Sequence, residues 1–394
     1  MNFQLLLAGF DGTVDPDCQS NKGLVGGNQQ APLETDAVAR SQPNQLLLWA
    51  DAQEKSTDAR AGTMGETVKP AKPKRKYYQP WPAYNPAQVY EKELFQYLLH
   101  DLCAGMEWPP RTTRGRHPHP LADVIYSMVF KVYVRMSARR AMSDLREAHA
   151  KGHLSKLPSY NSVCDYFEMP VLTECLQELI PLSATPLQAV EDCFAVDSSG
   201  FRTAGFVRWF NTRYGKEQEN HDWRKLHICV ATLTHIIVSA EVSSRHAHDS
   251  PYFKTLINSA AQGGFQLSEV SADKAYSSRP NLRLVTKHGG MPYIDFKDNA
   301  KGGSRCEVWN KIFHYYSLHK EEFYEHYHRR SNAETTFQMI KSKFDEQVRS
   351  KTATSQVNEV LCKVLCHNIC CLIQSMFEFG VDPIFGQNGS LPEN

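Results

Sequence analysis

The chain has 394 residues, enough for two or three domains and a large buried core. Its formal net charge is only +1, so overall basicity does not announce a nucleic-acid partner. Eleven cysteines without a framework spacing argue against a secreted disulfide scaffold and for reduced thiols in a cytosol. The opening Leu5-Leu6-Leu7-Ala8-Gly9-Phe10 is too short for a signal peptide, and no apolar run reads as long enough to span a membrane. The expectation is a soluble cytoplasmic protein with no membrane partner.

Charge is unevenly placed. Residues 1–69 carry five Lys/Arg against nine Asp/Glu, and they lack periodic apolar spacing. They read as a disordered arm. Lys69-Pro-Ala-Lys-Pro-Lys-Arg-Lys76 extends it as a basic, Pro-broken linker, so 1–76 stand apart from the folded part. From Tyr84, Leu94, Leu98, Leu99 and Leu102 recur at helical spacing. A basic loop, Arg111–Arg116, leads to one long predicted helix from Leu121 to Ala150, apolar on Ile125, Met128, Val129, Val132 and Met136. The same helix carries Lys131, Arg135, Arg139 and Arg146. After Gly152 and Pro158 a short helix runs through Phe167. Two helices joined by a Gly-containing turn, the first bearing arginines, suit either a helix-turn-helix unit on duplex DNA or a plain helical bundle with a basic face. Residues 84–187 are thus expected to form an α-helical amino-terminal domain, with Arg135 and Arg139 as candidate DNA contacts.

From residue 188 the pattern changes to strands. Asp192–Asp197 is a short apolar run expected to end at Asp197 in a Ser-Ser-Gly turn; 223–234 and 235–242 read as neighbouring β-branched strands. Asp249-Ser-Pro251 is a helix start, with Asp249 as its expected cap. A strand near 267–272 ends in Asp273, a helix follows to about His288, and 292–297 supply a fifth strand. A last helix spans roughly 354–379, before a Gly/Pro/Asn tail, 380–394. Three meandering strands followed by alternating helix and strand is the order of a ribonuclease-H-like α/β core, a five-stranded mixed sheet flanked by helices over 188–379.

In that order Asp197 and Asp273 fall at ends of adjacent strands, where open α/β sheets place their chemistry. Glu334 comes on the helix after the fifth strand. Three such carboxylates suit Mg²⁺ or Mn²⁺, with a pair expected in the two-metal arrangement that divides a phosphodiester between attacking and leaving oxygens. The bland readings are a turn aspartate at 197 and a helix cap at 273. Around Glu334, Tyr327, Arg330 and Lys341 lie seven and four residues before it and seven after it. On a helix at about 100° per residue they share one face with the glutamate. An aromatic hydroxyl, two cations and a carboxylate in a row suit a phosphate backbone meeting a metal ion. The competing reading is a capping box, Ser331-x-x-Glu334.

These motifs resemble those of DDE transposases of bacterial insertion sequences. The match is to the branch whose last acid lies in a Tyr-x2-Arg-x3-Glu-x6-Lys signature, here Tyr327, Arg330, Glu334 and Lys341. Phe194-Ala-Val-Asp197-Ser-Ser-Gly-Phe, Ala272-Asp273-Lys-Ala-Tyr276, Lys225-Leu-His227 and Val348-Arg-Ser-Lys351 are similar too. The resemblance implies Asp197, Asp273 and Glu334 as catalytic metal ligands and Tyr327, Arg330 and Lys341 as phosphate contacts. It implies cleavage of transposon ends in double-stranded DNA and joining of the 3′-OH ends to target, by a homodimer on DNA in a nucleoid-associated setting. Lys225, beginning a strand beside Asp197, is a further candidate DNA contact. Rival readings are a nuclease of the same fold without strand transfer, and a catalytically dead DNA-binding protein. Only residues 298–333 separate the fifth strand from the signature, too few for the large β-rich insertion of hairpin-forming relatives. Trp309 in that segment reads either as a base-stacking residue or as core. Cys362, Cys366, Cys370 and His367 on the last helix read as an apolar seam in preference to a zinc site.

Overall fold

A computed structural model describes residues 80–108, 118–203, 213, 223–383 and 385. The acidic arm, the basic linker, the Arg111–Arg116 loop and most of the tail lie outside the described residues. Six helices come first: α1 (Trp81–Val89), α2 (Glu91–Cys103), α3 (Leu121–Tyr133), α4 (Ala138–Ala150), α5 (Tyr160–Phe167) and α6 (Pro170–Ala184). The expected single helix over 121–150 is two. The chain turns at Arg135, whose φ of 57° is left-handed, so α3 and α4 point different ways and Arg135 sits at the break. The apolar spacing that suggested one helix belongs to two separate buried faces, Val124–Val132 and Ala141, Leu145 and Ala148. Gly152, at φ 84°, then closes α4.

Next come β1 (Cys193–Arg202), β2 (Trp223–Ala231), β3 (Ile237–Ser244), α7 (Ser250–Gln262), β4 (Glu269–Ala272), α8 (Arg279–Lys287) and β5 (Met291–Ile294). The strands form one sheet in the order β3-β2-β1-β4-β5. β1, β2 and β3 are antiparallel neighbours, while β4 and β5 run parallel to β1. Phe194, Ala195 and Val196, and Leu226 through Ala231, are buried without alternation, the mark of central strands covered on both faces. This five-stranded mixed sheet flanked by helices, with its helical amino-terminal region, is the ribonuclease-H-like fold of the sequence reading.

One boundary differs. β1 does not stop at Asp197 but continues through Ser198, Ser199 and Gly200 to Arg202, paired with β2 throughout. What stops is its other neighbour, because β4 pairs with β1 only as far as Val196↔Ala272. Gly200 is needed for close approach: a Cβ there would meet the Trp223 ring at 3.3 Å. The Ser-Ser-Gly composition therefore reports a packed strand in place of a turn.

Between β5 and the signature lie α9 (Glu307–Leu318) and α10 (Lys320–Tyr327), then α11 (Ser331–Phe344) and α12 (Ala353–Phe379). Trp309 is core: its ring meets Phe296 edge-on at 5.0 Å and its Nε1 donates to the Lys301 carbonyl at 2.9 Å. The longest helix, α12, corrects another expectation. Over 27 residues, with mean hydropathy 1.6 in its best window, it is long and apolar enough to cross a membrane, yet 83% of that window is buried inside the fold. It joins the helical region to the sheet. Asn368 Nδ2 donates to the Ile237 carbonyl at 2.7 Å and to Ser183 Oγ at 2.9 Å, while its Oδ1 accepts the Ile237 N–H at 2.9 Å. Ten residues earlier, Asn358 accepts from Thr173 Oγ1 and donates to the Phe167 carbonyl. Cys362 and Cys366 are buried in the same seam, and His367 Nε2 meets the His235 carbonyl at 2.8 Å.

Candidate active site

The site is assembled where β1 loses its β4 partner. In the parallel register Val196 faces Ala272, so Asp197 and Asp273 follow on adjacent strands at the same edge of the sheet. Asp273 is fixed by its own turn: it begins a 3₁₀ turn, Lys274–Tyr276, and its Oδ1 accepts the Lys274 N–H at 2.7 Å. The capping reading of Asp273 is thus correct for one oxygen, and it leaves the carboxylate at the strand end. Asp197 accepts the Ser198 N–H at 2.8 Å through Oδ1. Burial raises its pKa; the Ser198 N–H and Arg330 oppose that, and the charges of Glu334 and Asp273 reinforce it. The three acids therefore feel one another electrostatically. A recess of about 590 Å³ opens beside Asp273, lined by Lys274, Lys297, Asp298 and Asn299.

The signature residues do not ride a single helix. Tyr327 ends α10, Arg330 ends a 3₁₀ turn, His328–Arg330, and Glu334 and Lys341 belong to α11. The 3₁₀ joint tightens the spacing of Tyr327 and Arg330 relative to a regular helix, and all four still reach the carboxylate edge or its strand. Arg330 Nη1 contacts Asp197 Oδ2 at 3.2 Å and its Nη2 contacts Glu334 Oε1 at 2.5 Å. The guanidinium thus bridges two of the three acids. Tyr327 is half-buried, its pKa raised first by burial, with Asp273 and Arg330 among the charges it feels. Lys341 Nζ donates to Ser199 Oγ at 2.8 Å and stands over the Phe201 ring, and burial lowers its pKa.

The capping-box reading of Ser331-x-x-Glu334 fails. Ser331 is already helical, at φ −58° and ψ −21°, and its hydroxyl donates back to the His328 carbonyl at 2.9 Å. The side chain of Glu334 turns to Arg330, and its carboxylate is 56% exposed against 18% for Asp197. A real capping box does form elsewhere, between Thr352 and Ser355 at the start of α12.

Asp249 is the residue the sequence reading misassigned. It precedes α7 without capping it: its backbone is helical, at φ −74° and ψ −41°, and its side chain accepts nothing from the helix. Its Oδ1 instead accepts from Ser198 Oγ at 3.0 Å and forms an ion pair with Lys225. His227 Nδ1 stands 3.6 Å away, its Nε2 lies 2.8 Å from Ser243 Oγ, and its ring stacks on Tyr252. Burial pushes the His227 imidazole down to about 4, so the ring is neutral at neutral pH and Lys225 carries the charge facing Asp249. The signal was present in the sequence, since Lys225, His227, Asp249 and Ser198 all carry chemistry, but nothing in their spacing says that they meet. Arg135 and Arg139 lie far along the chain, exposed on the helical region, with Arg139 over the Tyr160 ring at 4.9 Å.

Among the described residues no three acidic, His or Cys side chains converge at ligating distance, as expected where a guanidinium stands between Asp197 and Glu334. The donor chemistry is nevertheless that of a hard divalent cation: carboxylate oxygens from two strand ends and a helix, whose mutual repulsion is offset by a single cation. Residues 188–369, which include Asp197, Asp273, Glu334 and the whole Asp249 cluster, match the family model described as a transposase DDE domain. No solved structure matches the chain.

Proposed function

We propose, from the match of residues 188–369 to a transposase DDE domain, that this chain is a DDE transposase that cleaves the phosphodiesters at transposon ends and joins the freed 3′-OH ends to target DNA. The family works with divalent metal ions, and Mg²⁺ or Mn²⁺, as a pair, suits the donor set here. Asp197, Asp273 and Glu334 are the proposed ligands and hence the catalytic residues. The observation that carries the reading is the shared edge of Asp197 and Asp273 in the β1–β4 register, with Glu334 tied to Asp197 through Arg330.

When bound, the ions supply an activated oxygen nucleophile and charge compensation on the leaving oxygen. The protein's residues do the rest. Asp197 and Asp273 hold their carboxylates at the end of the β1–β4 ladder, so the reacting phosphate is presented to a fixed edge. Tyr327, Arg330 and Lys341 line the adjoining wall and take the phosphates that flank the cleaved bond. Arg330 is engaged by Asp197 and Glu334 in this structure, and a DNA phosphate offers its guanidinium an alternative bidentate partner. Arg135 and Arg139, exposed on the helical domain 84–187, contact the duplex away from the site, and a homodimer brings two ends together. Lys225 we move from phosphate contact to support, because its ammonium is engaged by Asp249.

The deciding experiment incubates the purified protein with duplex DNA carrying the element's own ends, in Mg²⁺ and in Mn²⁺. Cleavage and strand-transfer products are expected from the native chain and neither from Glu334→Ala. Cleavage without any joined product would favour the nuclease reading.

A further inference from the structure

Between Val196 and the bridge Arg202↔Gln347, the strand that carries Asp197 is paired on one side only. β4 has ended, β2 continues as Ser198↔His227, and the open side is the site itself. A ligand at such a position needs a support that the sheet ladder does not give. Alternation along β1 puts Asp197 and Ser199 toward α11, where Arg330 and Lys341 meet them, and Ser198 toward α7. On that opposite side Asp249 receives the Ser198 hydroxyl at 3.0 Å. The backbone N–H of the same serine donates to Asp197 Oδ1 at 2.8 Å. One residue is therefore gripped from below and aims the carboxylate above it.

Asp249 leaves α7 without a side-chain cap and makes this contact instead. It is held in turn by Lys225 and walled by His227 and Tyr252, and the buried Tyr276 ring lies within electrostatic reach of both Asp249 and Asp197. The elements involved are β1, β2, α7 and the turn after Asp273, which are also the elements that fix the two strand-borne acids.

We propose that Asp249, acting through Ser198, is the positioning residue for Asp197: the Lys225–Asp249 pair locks Ser198 so that its N–H holds the Asp197 carboxylate in one orientation toward a divalent cation. The proposal rests on the reading of Asp197 as a metal ligand. Groups that orient a ligand in this way typically change metal affinity by about 10- to 100-fold when removed.

The test is a Mn²⁺ titration of the full-length chain, read from the electron paramagnetic resonance of unbound Mn²⁺, with melting temperature and duplex DNA binding measured on the same samples. Asp197→Ala should abolish the site. Asp249→Asn should weaken Mn²⁺ binding by about 10- to 100-fold while DNA binding stays at the native level. Ser198→Ala, which deletes one hydroxyl and keeps the backbone N–H, should weaken it in the same direction at an unchanged melting temperature, and it decides the matter if Asp249→Asn fails to fold. Native Mn²⁺ affinity in Asp249→Asn and Ser198→Ala, with loss in Asp197→Ala, overturns the positioning role and leaves the metal site standing. Native affinity in Asp197→Ala overturns the metal site and the proposal with it. Weakened binding in Ser198→Ala that merely follows a fall in melting temperature overturns the proposal as well, since that is a loss of fold.

Discussion

The two walls of the site are built differently. Asp197 stands on β1 and Asp273 in the turn just past β4, each with one carboxylate oxygen tied to the next residue's own N–H. Glu334 and Arg330 stand on a helix and a 3₁₀ turn and are tied chiefly to each other and across to Asp197. The first wall is held by backbone N–H groups at the end of the β1–β4 ladder; the second is held by side-chain ion pairs that a phosphate or a divalent cation can exchange. In the reading proposed above, such a site would present two backbone-anchored ligands and a third freed when the cation partner of Glu334 takes a DNA phosphate.

The largest effect falls on both walls together. Asp197→Ala, Asp273→Ala and Glu334→Ala should each lower end cleavage by on the order of 10³-fold or more, the loss of several kcal/mol of transition-state charge stabilisation. Duplex affinity should change little, since phosphate binding rests on cations. A gel-based cleavage assay paired with a binding titration checks this. An alanine at any of the three that cleaves at the native rate removes that residue from the catalytic set.

The walls separate in the next experiment. Arg330→Ala should strengthen Mn²⁺ binding by the DNA-free protein, because it removes the cation that competes for Asp197 and Glu334, and it should weaken binding to end DNA. The salt dependence of log K should become shallower by about one unit for Arg330→Ala and again for Lys341→Ala. Lys341 differs from Arg330 in its packing: its ammonium is bonded to Ser199 on the first wall, so Lys341→Ala should also cost about 1 kcal/mol of stability by thermal melting. An unchanged salt slope in both variants leaves the carboxylates without their DNA-gripping face.

Away from the site, Asn368 tests the seam that joins helical region to sheet. It satisfies both backbone groups of Ile237 and the Ser183 hydroxyl at zero exposure. Asn368→Ala should lower stability by about 2–3 kcal/mol, measured by denaturant unfolding, because buried polar groups are left unpaired. A loss below about 0.5 kcal/mol, the range of an ordinary surface change, would show that this seam does not hold the two regions together.

The contrast between the walls also explains what the sequence made legible. The succession of strands and the meeting of Asp197, Arg330 and Glu334 were readable because each is carried by local pattern: apolar runs ending in an acid, and fixed spacings around Glu334. The continuation of β1 through Ser-Ser-Gly was not, since its reason is the Trp223 ring packed on Gly200 from another strand. The break at Arg135 was overlooked because the apolar residues read as one face all come before it or at it, while the buried Ala141, Leu145 and Ala148 lie about half a turn out of phase with Ile125, Val129 and Val132. α12 escaped notice as a spanning-length apolar helix because polar residues such as Asn358, Glu359, Lys363 and Asn368 interrupt it, all of them satisfied only in the fold. Asp249 looked like a cap because Asp-Ser-Pro usually is one, and its true partners come from β1 and β2.

The smallest effect is the sharpest test of the second wall. Ser331-x-x-Glu334 and Thr352-x-x-Ser355 sit at successive helix starts, and by sequence the first is the better capping box. In the structure only the second forms: Thr352 Oγ1 accepts the Ser355 N–H and Ser355 Oγ accepts the Thr352 N–H. Thr352→Ala should therefore cost about 1 kcal/mol. Ser331→Ala removes a hydroxyl that only donates back to His328 on an exposed turn, and should stay within about 0.5 kcal/mol. If the order were reversed in melting experiments, Glu334 would be folded back on its own helix in solution, the Arg330 bridge to Asp197 would lose one of its two anchors, and the proposed third ligand would be a structural cap.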